Sequence, residues 1–306
     1  MGDRIVVPAH AKSNLRLRVL GRTEDGYHQL ETVFVRLGLH DDVAVQLNAA
    51  GSTPALAVSV AEEPDWPGRD PTPEGPDNLC WRAAECFFAA TDRTGVATIR
   101  IHKRIPPGSG LGGGSADAAA VLRGLNRLHD EPLSKQRLLE LGGELGSDVP
   151  FCLTGAPIAL GWERGRRLTP LPPLPTRPAL VLVPPVAVAT ADAYRWLDER
   201  RSATGAPAGA ALLPPAEELA DWAAAGTWSV NDFEPVVFER RPAVARAARW
   251  LEQHGASPVR LSGSGSAVIG YFKDGDARDA ADDVSAETGG GMDGIVALGT
   301  KAPAAS

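Results

Sequence analysis

Gly108, Gly110, Gly112, Gly113 and Gly114 crowd into "PPGSGLGGGSADAAAVLRGLN", with Ser109 between the first two, Ser115 after the last, and a helix-forming run behind them. Residues without a β-carbon let successive backbone N–H groups converge on one anion, and a helix starting there adds its positive end. The chemistry this favours is phosphate binding. Close packing of a helix on a strand would use one or two glycines, fewer than stand here. Gly108, Gly110 and Gly113 satisfy G-x-G-x-x-G, but a dinucleotide fold also wants an acidic residue ending the next strand about 20 residues on. Asp130 and Glu131 instead follow a helical stretch. A Walker A loop needs G-K-[ST], and "GGGSAD" has no lysine; the H-R-D and D-F-G signatures of protein kinases are absent too. The cradle belongs to another class of phosphate binder.

Other residues could work beside such a loop. The Ser115 hydroxyl suits either a helix cap or a Mg²⁺ ion bridging phosphates. Asp148 in "GSDVPF" precedes Pro150, a pattern that by itself reads as the cap of a short helix. Tyr27 and His28 lie in "TEDGYHQL", a polar Asp-Gly turn where an aromatic ring and an imidazole have little structural purpose and are suited to reading a flat ring. Gly263 and Gly265 in "LSGSGSA" fit a tight hairpin. His10, His40, His102, His129 and His254 show no metal-ligand spacing.

Strands and helices must position these groups. In "KSNLRLRVLG", Leu15, Leu17 and Val19 alternate with Asn14, Arg16 and Arg18, the period of a strand with one buried face, and Lys12 shares the polar face with Asn14. "LETVFVRLGL" and "DDVAVQL" read as two further strands, followed by a proline-rich acidic loop, a helix at "NLCWRAAECFFAA" and the strand "VATIRIHKRI" that delivers the chain to the glycines. The second half reads as strands at "ALVLV", "PVRLS", "SAVIGYF" and "GIVALG", with helices around "ADAYRWLDER", "PAVARAARWLEQ" and "DARDAADDVSAE" and a loose linker at "SATGAPAGAALLPP". The expectation is an α+β protein of two domains, 1–160 and 161–306.

Composition agrees. A chain of 306 residues exceeds one comfortable core, and 43% hydrophobic with 23% charged residues is ordinary for a globular fold. A formal charge of -7 gives no reason to approach nucleic acid or an anionic membrane, so an anionic substrate must be held by local devices. Cys80, Cys86 and Cys152 make no C-x-x-C pair and read as free thiols of a reducing compartment. With no basic-then-apolar opening in "MGDRIVVPAH" and no long unbroken apolar run, a cytoplasmic protein is expected.

Three separated stretches, "PAHAKSNLRLRVLGRTEDGYHQLETVF", "PPGSGLGGGSADAA" with "GSDVPF", and "RLSGSGSAVIGYF", together resemble the GHMP small-molecule kinases. "DGYHQLETVF" and "NDFE" narrow the resemblance to the branch acting on a cytidine-diphosphate-linked methylerythritol in non-mevalonate isoprenoid biosynthesis. The resemblance implies ATP-dependent phosphorylation of that substrate's 2-hydroxyl with Mg²⁺, in a cleft between an N-terminal ATP domain and a ferredoxin-like C-terminal domain. It implies that Asp148 is the catalytic aspartate and that Lys12 neutralises charge on the transferring group. It assigns ATP to the loop from Pro107 through Gly108, Ser109, Gly110, Leu111, Gly112, Gly113 and Gly114 to Ser115, with Asn78, Leu79 and Lys103 nearby. The substrate falls to Asn14, Tyr27, His28, Thr190, Tyr194, Gly263 and Gly265. Since an aspartate is a weak base at neutral pH, orienting the hydroxyl matters more than removing its proton. The alternatives are a GHMP kinase for a smaller alcohol, such as homoserine or mevalonate, and a non-catalytic nucleotide-binding module. Tyr27 with His28 argues against the first, and Lys12 with Asp148 against the second.

Overall fold

A computed structural model describes residues 3–22, 28–48, 56–93, 96–163, 167–205, 216–273 and 294–304. Tyr27, residues 206–215 of the linker-like stretch and the helix expected at 276–287 lie outside them. In chain order the elements are β1 (Arg4–Arg22), β2 (His28–Leu47), β3 (Leu56–Glu62), α1 (Leu79–Thr91), β4 (Ala97–His102), α2 (Gly113–Leu128), α3 (Lys135–Leu145), α4 (Val149–Thr154), β5 (Ile158–Trp162) and β6 (Arg167–Pro170). They continue with β7 (Arg177–Val183), α5 (Thr190–Thr204), α6 (Ala216–Leu219), α7 (Trp222–Trp228), β8 (Val230–Asn231), α8 (Glu234–Arg240), α9 (Pro242–Gln253), β9 (Val259–Leu261), β10 (Val268–Tyr271) and β11 (Val296–Ala302).

Two sheets organise the chain. The first has the path β3-β4-β2-β1-β8, with β5 joined to β2 and β6 to β5. The second has the order β11-β7-β10-β9, every neighbour antiparallel, which is the strand order of a ferredoxin-like layer. The expected division at 160/161 falls inside β5; the first sheet runs on to Pro170 and takes β8 from the second half. The two runs read as separate strands within residues 30–47 form one continuous β2, because apolar and β-branched residues persist through Gly38 with no turn-forming pair to break them.

β1 corrects the expectation of a single buried face. Residues 11–17 are all buried, since helices cover one side of the sheet and the second half covers the other. The buried polar residues there are all partnered. Arg16 Nε reaches Glu31 at 2.7 Å and its Nη1 donates to the Trp228 carbonyl, while Ser13 Oγ meets the Tyr271 hydroxyl at 2.7 Å. Ala11, Leu15, Val33 and Val35 from the first sheet share one apolar core with Ala179, Val181, Ile269 and Tyr271 from the second. Burial of this kind stabilises by roughly 25 cal/mol per Å² of apolar surface, so the two sheets are held face to face and not merely tethered. A separate core joins α1 and α2 to β2–β4.

A β-bulge shapes the β1 side that matters. The register with β2 slips between Asn14 and Arg16, one extra residue on β1, and the side-chain parity changes there. As a result Lys12, Asn14 and Leu17 all face the same cleft, where strict alternation would have turned Leu17 away. On β2 the alternation is regular and supplies His28, Leu30, Thr32 and Phe34 to that cleft.

A candidate active site between the two halves

The cleft has a volume of ≈ 1050 Å³, at the upper end of small-molecule sites and roomy enough for two ligands end to end. At one end is the glycine loop. Gly112, with φ 73°, is the N-cap of α2 and contributes no side-chain hydrogen bond, so the helix opens on the cleft with its first N–H groups free of an intrahelical acceptor. Ser115 is therefore not the cap; it lies inside the first turn with its residue on the cleft wall. The loop is anchored by its carbonyls: Ala267 N donates to Ser109 O at 2.9 Å, Ser262 Oγ to Gly110 O at 2.9 Å, and Lys12 N to Leu111 O at 2.9 Å. Gly110 has φ 86°, and a β-carbon there would stand 2.1 Å from the Ser262 carbonyl oxygen, so only glycine lets the two halves meet.

At the centre, Lys12 Nζ lies 2.9 Å from Asn14 Oδ1 and 3.2 Å from Asp148 Oδ2. The lysine side chain is only 4% exposed and the aspartate 29%, so one partner is buried and the other meets the cleft. Asp148 is the N-cap residue of α4 but its side chain makes no cap hydrogen bond, so the carboxylate is left to Lys12 and the cleft. Asn14 Oδ1 also accepts from Gly263 N at 2.9 Å, and its Nδ2 donates to Thr32 Oγ1 at 2.7 Å, which in turn donates to Arg16 O. Every polar atom of the amide has a defined role, and the ammonium is fixed from two sides.

The other end is aromatic. Tyr194, on α5, stacks on His28 with centroids 4.4 Å apart and meets the edge of Phe233 at 4.9 Å. Burial, with Asp148 and Asp198 adding, pushes the Tyr194 phenol up to about 12, so it stays neutral. His28 Nε2 lies 3.1 Å from Asp198 Oδ1, and Arg22 pairs with the same carboxylate. Burial alone would raise the Asp198 carboxyl, but hydrogen bonds from His28 and Arg22 hold it below the ordinary carboxylate range. Thr190 Oγ1 meets Ser264 Oγ at 3.1 Å, closing this end from the second half.

The motif "NDFE" acts as a buttress. Asn231 Nδ2 donates to the carbonyls of Leu261 and Gly263, both at 2.8 Å, Asp232 Oδ2 accepts from Val19 N, and Glu234 Oε1 accepts from Leu261 N. Gly263 is thereby held with its N–H on Asn14. Gly265 shapes the same loop with φ 96° but does not face the cleft.

Several expected residues stand elsewhere. Leu79 lines the cleft, whereas Asn78 is buried, its Oδ1 capping α1 through Cys80 N and its Nδ2 donating to Pro73 O. Lys103 lies behind the loop, 2% exposed, with its ammonium 2.5 Å from Asp41 and 2.7 Å from Asp117. Burial pushes Asp117 up to about 7 against the pull of Lys103, with Asp41 adding to the rise. Ser109 and Leu111 are buried as well, so their side chains pack the loop, whose glycines line the cleft. Sequence reasoning missed Leu30, Thr32, Phe34, Ser264 and Phe233; the alternation through "HQLETVF" was the signal for the first three.

Comparison with known proteins fits this geometry. A family model described as GHMP kinases N terminal domain matches residues 78–156, and one described as GHMP kinases C terminal matches residues 210–289. The 4-diphosphocytidyl-2-C-methyl-D-erythritol kinase of Solibacter usitatus is 40% identical over 274 residues, covering 87% of this chain and 80% of that protein. A crystal structure of 4-(cytidine 5'-diphospho)-2C-methyl-D-erythritol kinase superposes with a TM-score of 0.77 at 33% identity, covering 97% of this chain and 99% of that one. Homoserine kinase from Cytophaga hutchinsonii, at 17% identity and a TM-score of 0.69 over 98% and 95% of the two chains, shares the fold.

Proposed function

The chain belongs to the GHMP kinases and, within them, to the 4-diphosphocytidyl-2-C-methyl-D-erythritol kinase family, and from that premise we propose how the cleft divides its work. The enzyme transfers a phosphoryl group from ATP to the alcohol of a cytidine-diphosphate-linked methylerythritol, a step of non-mevalonate isoprenoid biosynthesis. ATP lays its phosphates along Gly108–Ser115, where backbone amides and the open end of α2 face them. The 2-hydroxyl lies beside the Lys12–Asp148 pair, on the side where the aspartate meets the cleft. The cytosine lies at the far end, with His28, Thr190 and Tyr194. Among the described residues no helix is long and apolar enough to cross a membrane.

Phosphoryl transfer through a loose transition state asks for alignment and charge neutralisation more than for covalent help. Asp148 accepts the hydroxyl's hydrogen bond, aims its oxygen at the γ-phosphorus, and takes the proton as the new O–P bond forms and the bond to ADP breaks. Lys12, anchored by Asn14, balances the charge on the moving phosphoryl oxygens. Among the described residues no cluster of three or more His, Cys, Asp or Glu could hold a metal by itself, and the Ser115 hydroxyl on the cleft wall would be a ligand for Mg²⁺ arriving with the nucleotide. When bound, Mg²⁺ supplies charge neutralisation across the phosphates.

The single observation supporting this reading is the Lys12–Asp148 pair, 3.2 Å apart, in one cleft with an uncapped helix N-terminus. Gly114 offers a clean test of the nucleotide half. A β-carbon there meets nothing within 4 Å, whereas one at Gly113 would press on Ile105 at 3.0 Å. Gly114→Val should therefore fold normally and weaken ATP binding in calorimetry by at least roughly tenfold, about 1.4 kcal/mol. Unchanged ATP affinity in the folded variant would remove the loop from the nucleotide site.

A further inference from the structure

The proline-rich acidic loop between β3 and α1 takes no part in the mechanism, yet it crosses from one half to the other. Thr72 closes it on itself by donating its N–H and its hydroxyl to the Glu63 carboxylate at 2.9 and 2.8 Å. Gly68 lies directly on the second half: a β-carbon there would stand 2.4 Å from the Pro185 carbonyl oxygen. From this strap Arg69 reaches three segments at once. Its Nη1 donates to Pro107 O at 2.9 Å, and its Nη2 donates to Ser266 Oγ at 2.7 Å and to Pro184 O at 3.3 Å.

Two features separate this contact from ordinary surface packing. All three partners are uncharged, and among the described residues no carboxylate pairs with the guanidinium; burial alone lowers its pKa. A half-buried cation held by neutral oxygens is costly to desolvate and rewards a nearby anion. The partners also bracket the site. Pro107 enters the glycine loop and Ser266 precedes Ala267, whose N–H holds Ser109 O. Arg69 does not line the cleft; its Nη1 stands behind the loop, 3.7 Å from where a β-carbon on Gly108 would be.

We propose that Arg69 is a positioning residue for ATP: it fastens the entry of the glycine loop to the Ser262–Ala267 turn, setting the cradle's width and lending it positive charge. The inference rests on the glycine loop being the phosphate site.

Steady-state kinetics of Arg69→Met, Arg69→Lys and Ser266→Ala test it. Methionine keeps the side chain's apolar stem but removes every bond and the charge. Its KM for ATP should rise roughly tenfold or more, with the KM of the alcohol within about twofold and kcat within about threefold. Lysine restores charge but cannot span Pro107 and Ser266 together, so it should fall between parent and methionine. Ser266→Ala, which removes the Arg69 bond and a longer one from the hydroxyl to Pro184 O but no charge, should raise the KM for ATP by about threefold and serves if Arg69→Met does not fold. A folded Arg69→Met or Ser266→Ala protein with parental KM for ATP overturns the proposal, as does an equal rise in both KM values. If Gly114→Val weakens ATP binding while Arg69→Met does not, the positioning role alone fails and the loop assignment stands.

Discussion

Asp148→Asn should lower kcat by roughly 10³-fold, about 4 kcal/mol, while the KM values for ATP and the alcohol move by less than about threefold. The substitution preserves shape, and the side chain makes no helix cap and is 29% exposed, so what the fold loses is the charge beside the Lys12 ammonium, which keeps its bond to Asn14 Oδ1. Its hydrogen-bond polarity is what changes. An amide that keeps its oxygen toward Lys12 Nζ, 3.2 Å away in the parent, must turn its NH₂ to the substrate, and an NH₂ cannot accept from a hydroxyl. Turnover within about threefold of the parent, under about 1 kcal/mol, would reduce Asp148 to the residue that precedes α4.

Lys12→Met should cost a further large factor, roughly 10²- to 10³-fold in kcat, the range seen when one preorganised charge-stabilising donor is removed. Methionine fits the slot because the lysine stem runs against Gly112, where a β-carbon would lie 2.9 Å from Cγ. The backbone bond from Lys12 N to Leu111 O survives, and Asn14 keeps its bond from Gly263 N, so the frame should hold. Since Lys12 and Asp148 act as a unit, the double variant should be little worse than the worse single one. Rapid-quench turnover of all three proteins checks this. A Lys12→Met enzyme with near-parental kcat would leave the ammonium a merely structural partner of Asn14.

How much of this was legible beforehand follows from what each residue answers to. The glycine loop was readable because so many residues without side chains in one short stretch serve no ordinary packing need, and the strand carrying Lys12 and Asn14 because its alternation is local. The bulge at Asn14–Arg16 was not readable, since it depends on pairing with β2, and it alone brings Leu17 to the cleft. Lys103 is expected near the nucleotide, and its buried pairing was unreadable for a similar reason. Its partners, Asp41 and Asp117, lie far off in sequence or one turn inside a helix, and only the fold closes them around the ammonium. Asn78 and Ser115 traded expectations: the asparagine is the cap, and the serine is not. Arg69 carried no signal, because its partners are neutral backbone and hydroxyl oxygens from segments remote in sequence.

The central claim is that one cleft joins an ATP cradle to a cytidyl-bearing alcohol, with the remote base supplying binding energy that aligns the hydroxyl. Phosphorus NMR of reactions containing ATP and one acceptor at a time tests it most directly. With the cytidine-diphosphate-linked methylerythritol, ADP and one new phosphomonoester should appear in equal amounts. Methylerythritol phosphate without the nucleotide should react at least about 10³-fold less efficiently in kcat/KM, and homoserine not at all. Comparable transfer with and without the cytidyl group, or efficient phosphorylation of homoserine, would contradict the account.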